Sequence, residues 1–447
     1  MASPQSAHRR NPSTKANRPR RMTKGPLDGI DDPPVTSSAA SSPSRSQTHS
    51  PSGSTPTHRR GFPTIDNIVT PLNKDFSFLL RQEIYHPLSQ LNIPPAFRSE
   101  YPTPSPDETL AAILNKLDDL LKEGRFLQAA HFSGAILTSP ILSPTDHQSI
   151  FYLLHTRLAC LELTGNVLLA GQEAKALEDL NSSFYFLDAD LEVVDSAEAQ
   201  SRQSLPRHIV PWPLRVLAIW LQSIGFGDAR RGISGLYELG LEARRNILRP
   251  GVSPEDKKLW KERLVDLGIR VVNALVDIDD MDAARRSLAN LHGSDNGDDV
   301  WKSRMALLHL RIGDVNAARE VLGECNDIAN GTLNPLLSMA EGRYVDAVDE
   351  WRSCLQKHQG KEGEALITQN LAVCLLYTGE LNEARELLES LVATYHSFSS
   401  LTFNLSTIYE LCSDKSRTLK LGLAEKLAKQ PRSGERNWEK PNADFKL

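Results

Sequence analysis

Hydrophobic residues recur along most of this chain at the spacing of amphipathic helices. From about residue 105 onward, apolar residues come three and four positions apart, and polar residues occupy the other faces. Glycine and polar residues interrupt the pattern at short intervals, and no run predicts a strand. The pattern therefore predicts an all-α protein whose helical region covers residues 105–430.

A six-residue pattern recurs in this region, with a small or turn residue first, an apolar residue third and alanine sixth. Its copies GRFLQA, GNVLLA, DDMDAA, GDVNAA, GRYVDA and GELNEA begin at Gly124, Gly165, Asp279, Gly313, Gly342 and Gly379. They end at Ala129, Ala170, Ala284, Ala318, Ala347 and Ala384. A degenerate copy, GFGDAR, begins at Gly225. The copies resemble the turn of the tetratricopeptide hairpin, which recurs about every 34 residues.

The residue types in this pattern suit a turn between two packed helices. Glycine ends the first helix and lets the chain reverse, because it adopts positive φ without a steric cost. Alanine lets the second helix cross the first closely. We therefore predict a tetratricopeptide-type α-solenoid of about seven to eight helical hairpins, stacked as a curved rod. An irregular α-solenoid of another type is the alternative.

Helix starts are predicted where a serine is followed by proline and acidic residues. Serine caps a helix N-terminus, proline suits the first helical position, and acids favour the first turn. Ser105, Ser143 and Ser253 are the N-caps that this rule predicts. The last helix, within RTLKLGLAEKLAKQ, has a cationic outer face and is predicted to cap the end of the array.

The regions outside the repeats differ in composition. Residues 1–61 are rich in Ser, Thr, Pro and Arg and predict a disordered basic tail. Residues 62–104 carry aromatic side chains and several prolines. We expect this segment to pack on the array with one short helix near residues 74–85; a linear motif that docks into a partner is the alternative. Residues 431–447 are predicted to be a C-terminal tail.

The net charge of −5 is unevenly distributed along the chain. Residues 1–61 hold ten lysines and arginines against three acids, whereas the rest has 41 basic and 53 acidic residues. A basic arm for a membrane surface or a nucleic acid is one interpretation. The prolines and serines and the lack of aromatic residues favour a solvated tail instead, so we expect no nucleic-acid partner. Five scattered cysteines without a Cys-x-x-Cys pair are typical of a reduced cytosolic protein.

No pattern of catalytic or metal-binding residues emerges from the sequence. A phosphate-binding loop, a Rossmann glycine fingerprint and an H-E-x-x-H motif are all missing, and the twelve histidines are dispersed. Asn370 and Asn404 could belong to a clamp for a carboxylate, but the third repeat that such a clamp needs does not follow. We expect a non-enzymatic protein without cofactor, metal or transmembrane helix. An enzyme with an unrecognised site is the alternative.

Partner-binding candidates lie at the end of an acidic, proline-containing insertion at about residues 186–213. Two prolines flank a large aromatic residue just before a helix, and rigid Trp and nearby Arg often dominate interface energies. The candidate residues are Val210, Pro211, Trp212 and Arg215. The other interpretation is that Trp212 packs inside the array and fixes the start of the following helix. A second insertion, HGSDNGDD, is a short polar loop.

Two segments resemble the family of subunit 12 of the trafficking protein particle (TRAPP) complex. Residues 207–239 contain a Val/Ile-Pro-aromatic-x-x-Arg element that opens a helix, matched here by Val210, Pro211, Trp212, Leu214 and Arg215. Residues 79–99, LLRQEIYHPLSQLNIPPAFRS, resemble a stretch that precedes the tetratricopeptide array in that family. The resemblance covers roughly residues 75–420.

The resemblance implies a function that composition cannot indicate. It implies a non-catalytic scaffold subunit of a vesicle-tethering complex of the TRAPP III form, acting in ER-to-Golgi and autophagy-related transport. The expected partners are TRAPP subunits such as 8, 11 and 13. The expected location is the cytoplasm, with at most peripheral association with early secretory membranes through the complex. A generic tetratricopeptide adaptor for a chaperone, motor or nuclear assembly is the alternative.

Overall fold

The computed structural model describes residues 74–187, 207–291, 299–323, 331–361, 363–434 and 436–447. Within these residues the regular structure is helical, apart from an isolated antiparallel bridge between Phe186 and His208. The prediction of an all-α fold is confirmed. The predicted disordered tail, residues 1–61, lies outside the described residues, as does most of the HGSDNGDD loop.

The helices of the described residues form eight consecutive hairpins, each with a first helix (A) and a second helix (B). The A helices are α1 Leu110–Lys122, α3 His147–Leu163, α5 Trp212–Phe226, α7 Pro254–Asp277, α9 Asp299–Ile312, α11 Leu333–Ala340, α13 Glu364–Thr378 and α15 Ser399–Cys412. The B helices are α2 Phe126–Leu137, α4 Val167–Ala174, α6 Ala229–Leu248, α8 Met281–Ala289, α10 Val315–Gly323, α12 Tyr344–His358, α14 Leu381–Ala393 and α16 Ser416–Ala428. Each helix packs on the next along the chain, as in a solenoid.

The turns between A and B helices carry the six-residue pattern. The glycines that begin five of the copies have φ between 72° and 92°, in the region that disfavours side chains: Gly124, Gly165, Gly313, Gly342 and Gly379. The first-position aspartate of the remaining copy, Asp279, also has positive φ, at 61°. The alanines at the sixth position are all fully buried: Ala129, Ala170, Ala284, Ala318, Ala347 and Ala384.

The third hairpin turns two residues later than the degenerate copy at Gly225 predicted. Helix α5 continues to Phe226, and Gly227 makes the turn with φ of 66°. In this register the sixth position is Gly232, which is buried. A methyl group there would lie 2.7 Å from the Cβ of Ser223. Glycine replaces alanine because α5 and α6 approach too closely for any side chain.

One of the three predicted serine N-caps is found. The hydroxyl of Ser253 accepts a hydrogen bond from the N–H of Asp256, and Pro254 is the first residue of α7. The predictions for Ser105 and Ser143 are wrong, because each residue begins a turn that precedes the helix. Thr109 caps α1 and Asp146 caps α3.

Residues 74–104 pack on the first two hairpins. The single helix expected near residues 74–85 is replaced by two 3₁₀ turns, Ser77–Leu79 and Gln82–Ile84. Phe76 is fully buried and packs edge-to-face on Phe151 of α3, with 5.2 Å between the ring centroids. Aromatic burial therefore fixes this proline-interrupted segment without a regular helix.

A buried ion pair joins this segment to the second hairpin. Arg157 of α3 and Glu173 of α4 are almost completely buried, with 2.6 Å between Nη2 and Oε1. Glu173 also accepts from the N–H of His86, while Arg157 donates to the carbonyls of His86 and Ala130 at 2.9 and 2.8 Å. Because both side chains are hydrogen-bonded on several sides, the free-energy cost of burying them is partly offset.

The last residues of the chain, predicted as a C-terminal tail over residues 431–447, contact both ends of the array. The N–H of Trp438 donates to the carbonyl of Gly124 at 2.9 Å, and the N–H of Asn442 donates to the carbonyl of Asn92 at 2.7 Å. The side chain of Phe445 is fully buried, 5.9 Å from the ring of Phe97. Apolar burial explains why this segment is ordered.

The first and last parts of the array are in contact with each other. The last helix, α16, was predicted to cap the end of the array. It contacts the 3₁₀ turn Pro95–Phe97, so residues from the N-terminal part of the described chain pack against this end of the array. One apolar core includes residues of the first and the last hairpins, among them Leu117 and Leu405. The N-terminal and C-terminal hairpins are therefore parts of one packed body.

Candidate functional site

The four partner-binding candidates lie at the start of α5, and all of them are buried. Val210 is 2% exposed, Trp212 is 7% exposed and Arg215 is 5% exposed, and Pro211 is also buried. The ring of Trp212 packs edge-to-face on Trp260 of α7, with 5.2 Å between centroids. These residues form no exposed docking surface. Their geometry agrees with the packing interpretation, in which Trp212 fixes α5 within the array.

Arg215 forms a bidentate ion pair with Glu242 of α6. Its Nη1 and Nη2 atoms lie 2.9 and 2.5 Å from the two carboxylate oxygens. Burial by itself would raise the pKa of Glu242, but the hydrogen bonds and the charge of Arg215 lower this pKa below its ordinary value. The pair therefore stays ionised and ties α5 to α6.

His208 connects the start of α5 to the loop formed by residues 178–181. Its Nδ1 accepts from the N–H of Val210 at 3.0 Å, so its Nε2 carries the proton and donates to the carbonyl of Leu180 at 2.8 Å. Burial, together with the positive charge of Arg215, lowers the pKa of His208 to about 3. The ring is therefore neutral at physiological pH.

A cavity of about 320 Å³ opens between this loop and helices α5 and α6. The charged residues that line it are Glu178, Asp179, Arg215, Arg231, Glu238 and Glu242. The buried Gln222 holds the loop by donating to the carbonyls of Ala174 and Glu178 at 3.1 and 2.9 Å. The cavity is thus a fixed, polar feature of the fold, and we call it the acidic cavity.

A second surface lies on the A helices of the last two hairpins. Exposed and half-buried residues recur there at helical spacing, and they form what we call the apolar stripe: Leu366, Asn370, Val373 and Tyr377 on α13, and Asn404, Thr407 and Leu411 on α15. Leu366, Tyr377 and Leu411 are each more than half exposed. Large exposed apolar side chains on adjacent helices are typical of a protein-binding surface.

Asn370 and Asn404 occupy equivalent, half-buried positions in the apolar stripe, 34 residues apart along the chain. Within the part of the chain that the structure describes, no group of three His, Cys, Asp or Glu residues could hold a metal ion. In the same part, none of the helices has the length and apolar character needed to cross a bilayer.

Comparison with known proteins gives two similar relatives. The chain is 25% identical over 250 residues to human trafficking protein particle complex subunit 12, covering 49% of this chain and 34% of the relative. The mouse protein of the same name shows the same identity, with 31% of its length covered. The chain is distantly related to these proteins. It spans about a third of their length. No family model matches the chain.

Proposed function

We propose that this protein is a non-catalytic scaffold subunit of a TRAPP-like vesicle-tethering complex. The observation that carries the proposal is the similarity to TRAPP subunit 12 over 250 residues, together with an array of eight helical hairpins. Helical arrays of this kind offer extended surfaces for other proteins. The proposed partners are other TRAPP subunits, such as 8, 11 and 13.

The apolar stripe is the surface that we assign to these partners. Its side chains lie on neighbouring A helices, so a partner helix or extended segment could cover them together. Burial of three large apolar side chains contributes several kcal/mol, at about 1.5–3 kcal/mol each. The proposed location is the cytoplasm, with peripheral association with ER–Golgi membranes through the complex. The proposed pathways are ER-to-Golgi transport and autophagy-related transport.

Affinity purification of the full-length protein followed by mass spectrometry tests this proposal. We expect several TRAPP subunits to be recovered in similar molar amounts and to remain bound through size-exclusion chromatography. Recovery of chaperones, motors or nuclear proteins without TRAPP subunits would instead identify a generic tetratricopeptide adaptor. In parallel, a purified complex with hydrolytic or transfer activity that depends on this subunit would contradict a non-catalytic role.

A further inference from the structure

A small cavity lies where the last residues of the chain pack against α16 and the 3₁₀ turn Pro95–Phe97. Its volume is about 20 Å³, which is enough for one water molecule or one ion of similar size. Phe97 and Leu427 form an apolar part of its wall. Polar side chains on the wall include those of Gln430, Arg436, Trp438 and Lys440. We call this feature the C-terminal cavity.

Lys440 brings a buried positive charge to this cavity. The residue is only 3% exposed. Among the residues that the structure describes, its ammonium group has neither a hydrogen-bond acceptor nor an ion-pair partner. Burial lowers the pKa of Lys440 to about 8, although the negative charge of Asp444 acts in the opposite direction. The ammonium is therefore mostly charged at pH 7, and the loss of its hydration costs free energy that no partner offsets.

Two further hydrogen-bond donors line the C-terminal cavity. The indole N–H of Trp438 is buried and has no acceptor in the described parts of the chain. The Nη1 atom of Arg436 donates to the carbonyl of Tyr395 at 2.6 Å, and the guanidinium carries further N–H groups. Ammonium, guanidinium and indole N–H groups donate hydrogen bonds and accept none, so the three side chains together suit an anion.

The charges beside the cavity also favour an anion. The guanidinium groups of Arg125 and Arg432 lie 5.4 and 4.6 Å from the ring centroid of Trp438. Both arginines pair with the same carboxylate, that of Glu123, at 2.8 and 2.9 Å. One negative charge therefore serves two cations on this side of Trp438, and the potential around the indole N–H is positive.

Two acceptor groups of this region act against an anion. The Oε1 atom of Gln430 is a buried acceptor on the cavity wall. The carboxylate of Glu439 is next in sequence to Lys440, but it accepts from the N–H groups of Leu127 and Gln128 and does not line the cavity. Donors and positive charge therefore outweigh the acceptors at the cavity wall.

We propose that the C-terminal cavity binds a small monovalent anion of the size of chloride, held by Lys440, Arg436 and the indole N–H of Trp438. The anion supplies the countercharge for the buried ammonium. Because Phe97 and Leu427 belong to opposite ends of the array, binding between them stabilises the contact between these ends. The site is independent of the proposed function, because it needs only residues of this chain.

Urea denaturation of the full-length protein tests the site when sodium chloride replaces sodium gluconate at constant ionic strength. Gluconate is too large for the cavity, so the general effect of salt is the same throughout the series. We expect chloride to stabilise the protein in a saturable way. At a chloride concentration roughly ten times the dissociation constant, the equilibrium constant for unfolding should be about tenfold lower than in gluconate.

Two lysine variants show whether the effect of chloride belongs to this cavity. Lys440→Met removes the buried charge and keeps an unbranched side chain, so we expect it to be equally stable in both salts. Lys426→Met removes an exposed charge from α16 and should keep the wild-type dependence on chloride. The line width of the chloride NMR signal measures binding directly. The wild-type protein and Lys426→Met should broaden this signal more than Lys440→Met.

Three results would overturn the proposal. Equal stability of the wild-type protein in the two salts, or an effect of chloride that does not saturate, would exclude a chloride site. The same chloride dependence in Lys440→Met and in the wild-type protein would mean that the anion binds elsewhere. If Lys440→Met does not fold, Arg436→Gln replaces it, because Arg436 is an exposed residue of the same cavity. Chloride broadening by Arg436→Gln that equals the wild-type value would then contradict the site.

Discussion

At the scale of single residues, small side chains at the turns set the distance between the two helices of each hairpin. Ala347 and Ala384 are fully buried immediately after turns at Gly342 and Gly379. Gly232 occupies the same position in the third hairpin, where even a methyl group would collide with Ser223. The sixth position of the turn pattern therefore accommodates a methyl group in most hairpins and no side chain in the third hairpin.

Enlarging a turn alanine should overpack its hairpin. We expect Ala347→Leu and Ala384→Leu each to lower the free energy of unfolding by about 1–3 kcal/mol, because added methylenes must displace packed neighbours. Urea denaturation monitored by circular dichroism measures the loss. Val345→Leu, at an exposed position of the same hairpin as Ala347, is the control and should change little. Neutral effects of both alanine substitutions would contradict close packing at these positions.

The ion pair of Arg157 and Glu173 is a second feature that acts at the scale of residues. Glu173→Gln would leave the buried guanidinium of Arg157 without its countercharge, and we expect a loss of about 3–5 kcal/mol in the free energy of unfolding. Asp266→Asn breaks an exposed pair with Arg270 and should cost at most about 1 kcal/mol. Equal losses in the free energy of unfolding of the two variants, measured by urea denaturation, would contradict the burial of the Arg157–Glu173 pair.

At the scale of elements, local signals predicted the turns better than the helix starts. The hydroxyl of Ser253 caps α7, whereas the residues after Ser143 form a separate turn whose Pro144 carbonyl accepts from the N–H of Phe76. That contact joins residues 68 positions apart and has no local signature in the sequence. The third hairpin was misplaced because Gly232 replaces the alanine that marks the other copies.

His208 connects two elements through a neutral ring, and this predicts a pH dependence. Its pKa is about 3 in the folded protein and near 6.5 in the unfolded chain, so only the unfolded chain binds the proton as the pH falls below 6.5. The folding free energy that depends on neutral His208 is complete above pH 6.5 and is lost progressively towards pH 3.

The His208→Asn variant isolates this contribution. We expect the melting temperature of the wild-type protein, relative to that of the variant, to fall between about pH 7 and about pH 5, because the variant cannot titrate at this position. Burial also lowers the pKa of His155, to about 4, so part of the pH dependence will remain in the variant. Identical pH dependence in both proteins would mean that folding does not lower the pKa of His208.

At the scale of the whole molecule, contacts between the chain ends decide the shape. The carboxylate of Glu439 accepts from the backbone N–H groups of Leu127 and Gln128 at the start of α2, more than three hundred residues earlier. Burial raises the pKa of Glu439 to about 7, although these hydrogen bonds act in the opposite direction. A repeat pattern indicates only how each hairpin packs on the adjacent hairpins. The sequence therefore predicted the hairpins but not the contacts between the two ends of the array.

A single substitution in the last residues tests this joining. We expect Phe445→Ala to lower the free energy of unfolding by about 3–5 kcal/mol, because it empties a fully buried site beside Phe97. Leu447→Ala, at an exposed neighbouring position, is the control and should have little effect. An unchanged urea transition for the Phe445 variant would show that the C-terminal residues are a free tail in solution.

The surface residues were the least predictable part of the candidate site. Tryptophan is a residue type that is enriched at interfaces, but the fold buries Trp212 against Trp260, which lies 48 positions further along the chain. The sequence of helix α13, EALITQNLAVCLLYT, has large apolar residues around most of its circumference, so burying one side leaves Leu366 and Tyr377 exposed on the other.

Co-purification with a variant of the apolar stripe tests the central claim most directly. The test variant combines Leu366→Ser, Tyr377→Ser and Leu411→Ser, and the control combines Leu168→Ser, Leu241→Ser and Val345→Ser, three exposed apolar residues on B helices. If the stripe binds the complex, recovery of TRAPP subunits should fall by about tenfold or more with the test variant only, while both proteins keep wild-type melting curves. Recovery that is unchanged, or that falls equally in both variants, would contradict the stripe as the docking surface of this protein.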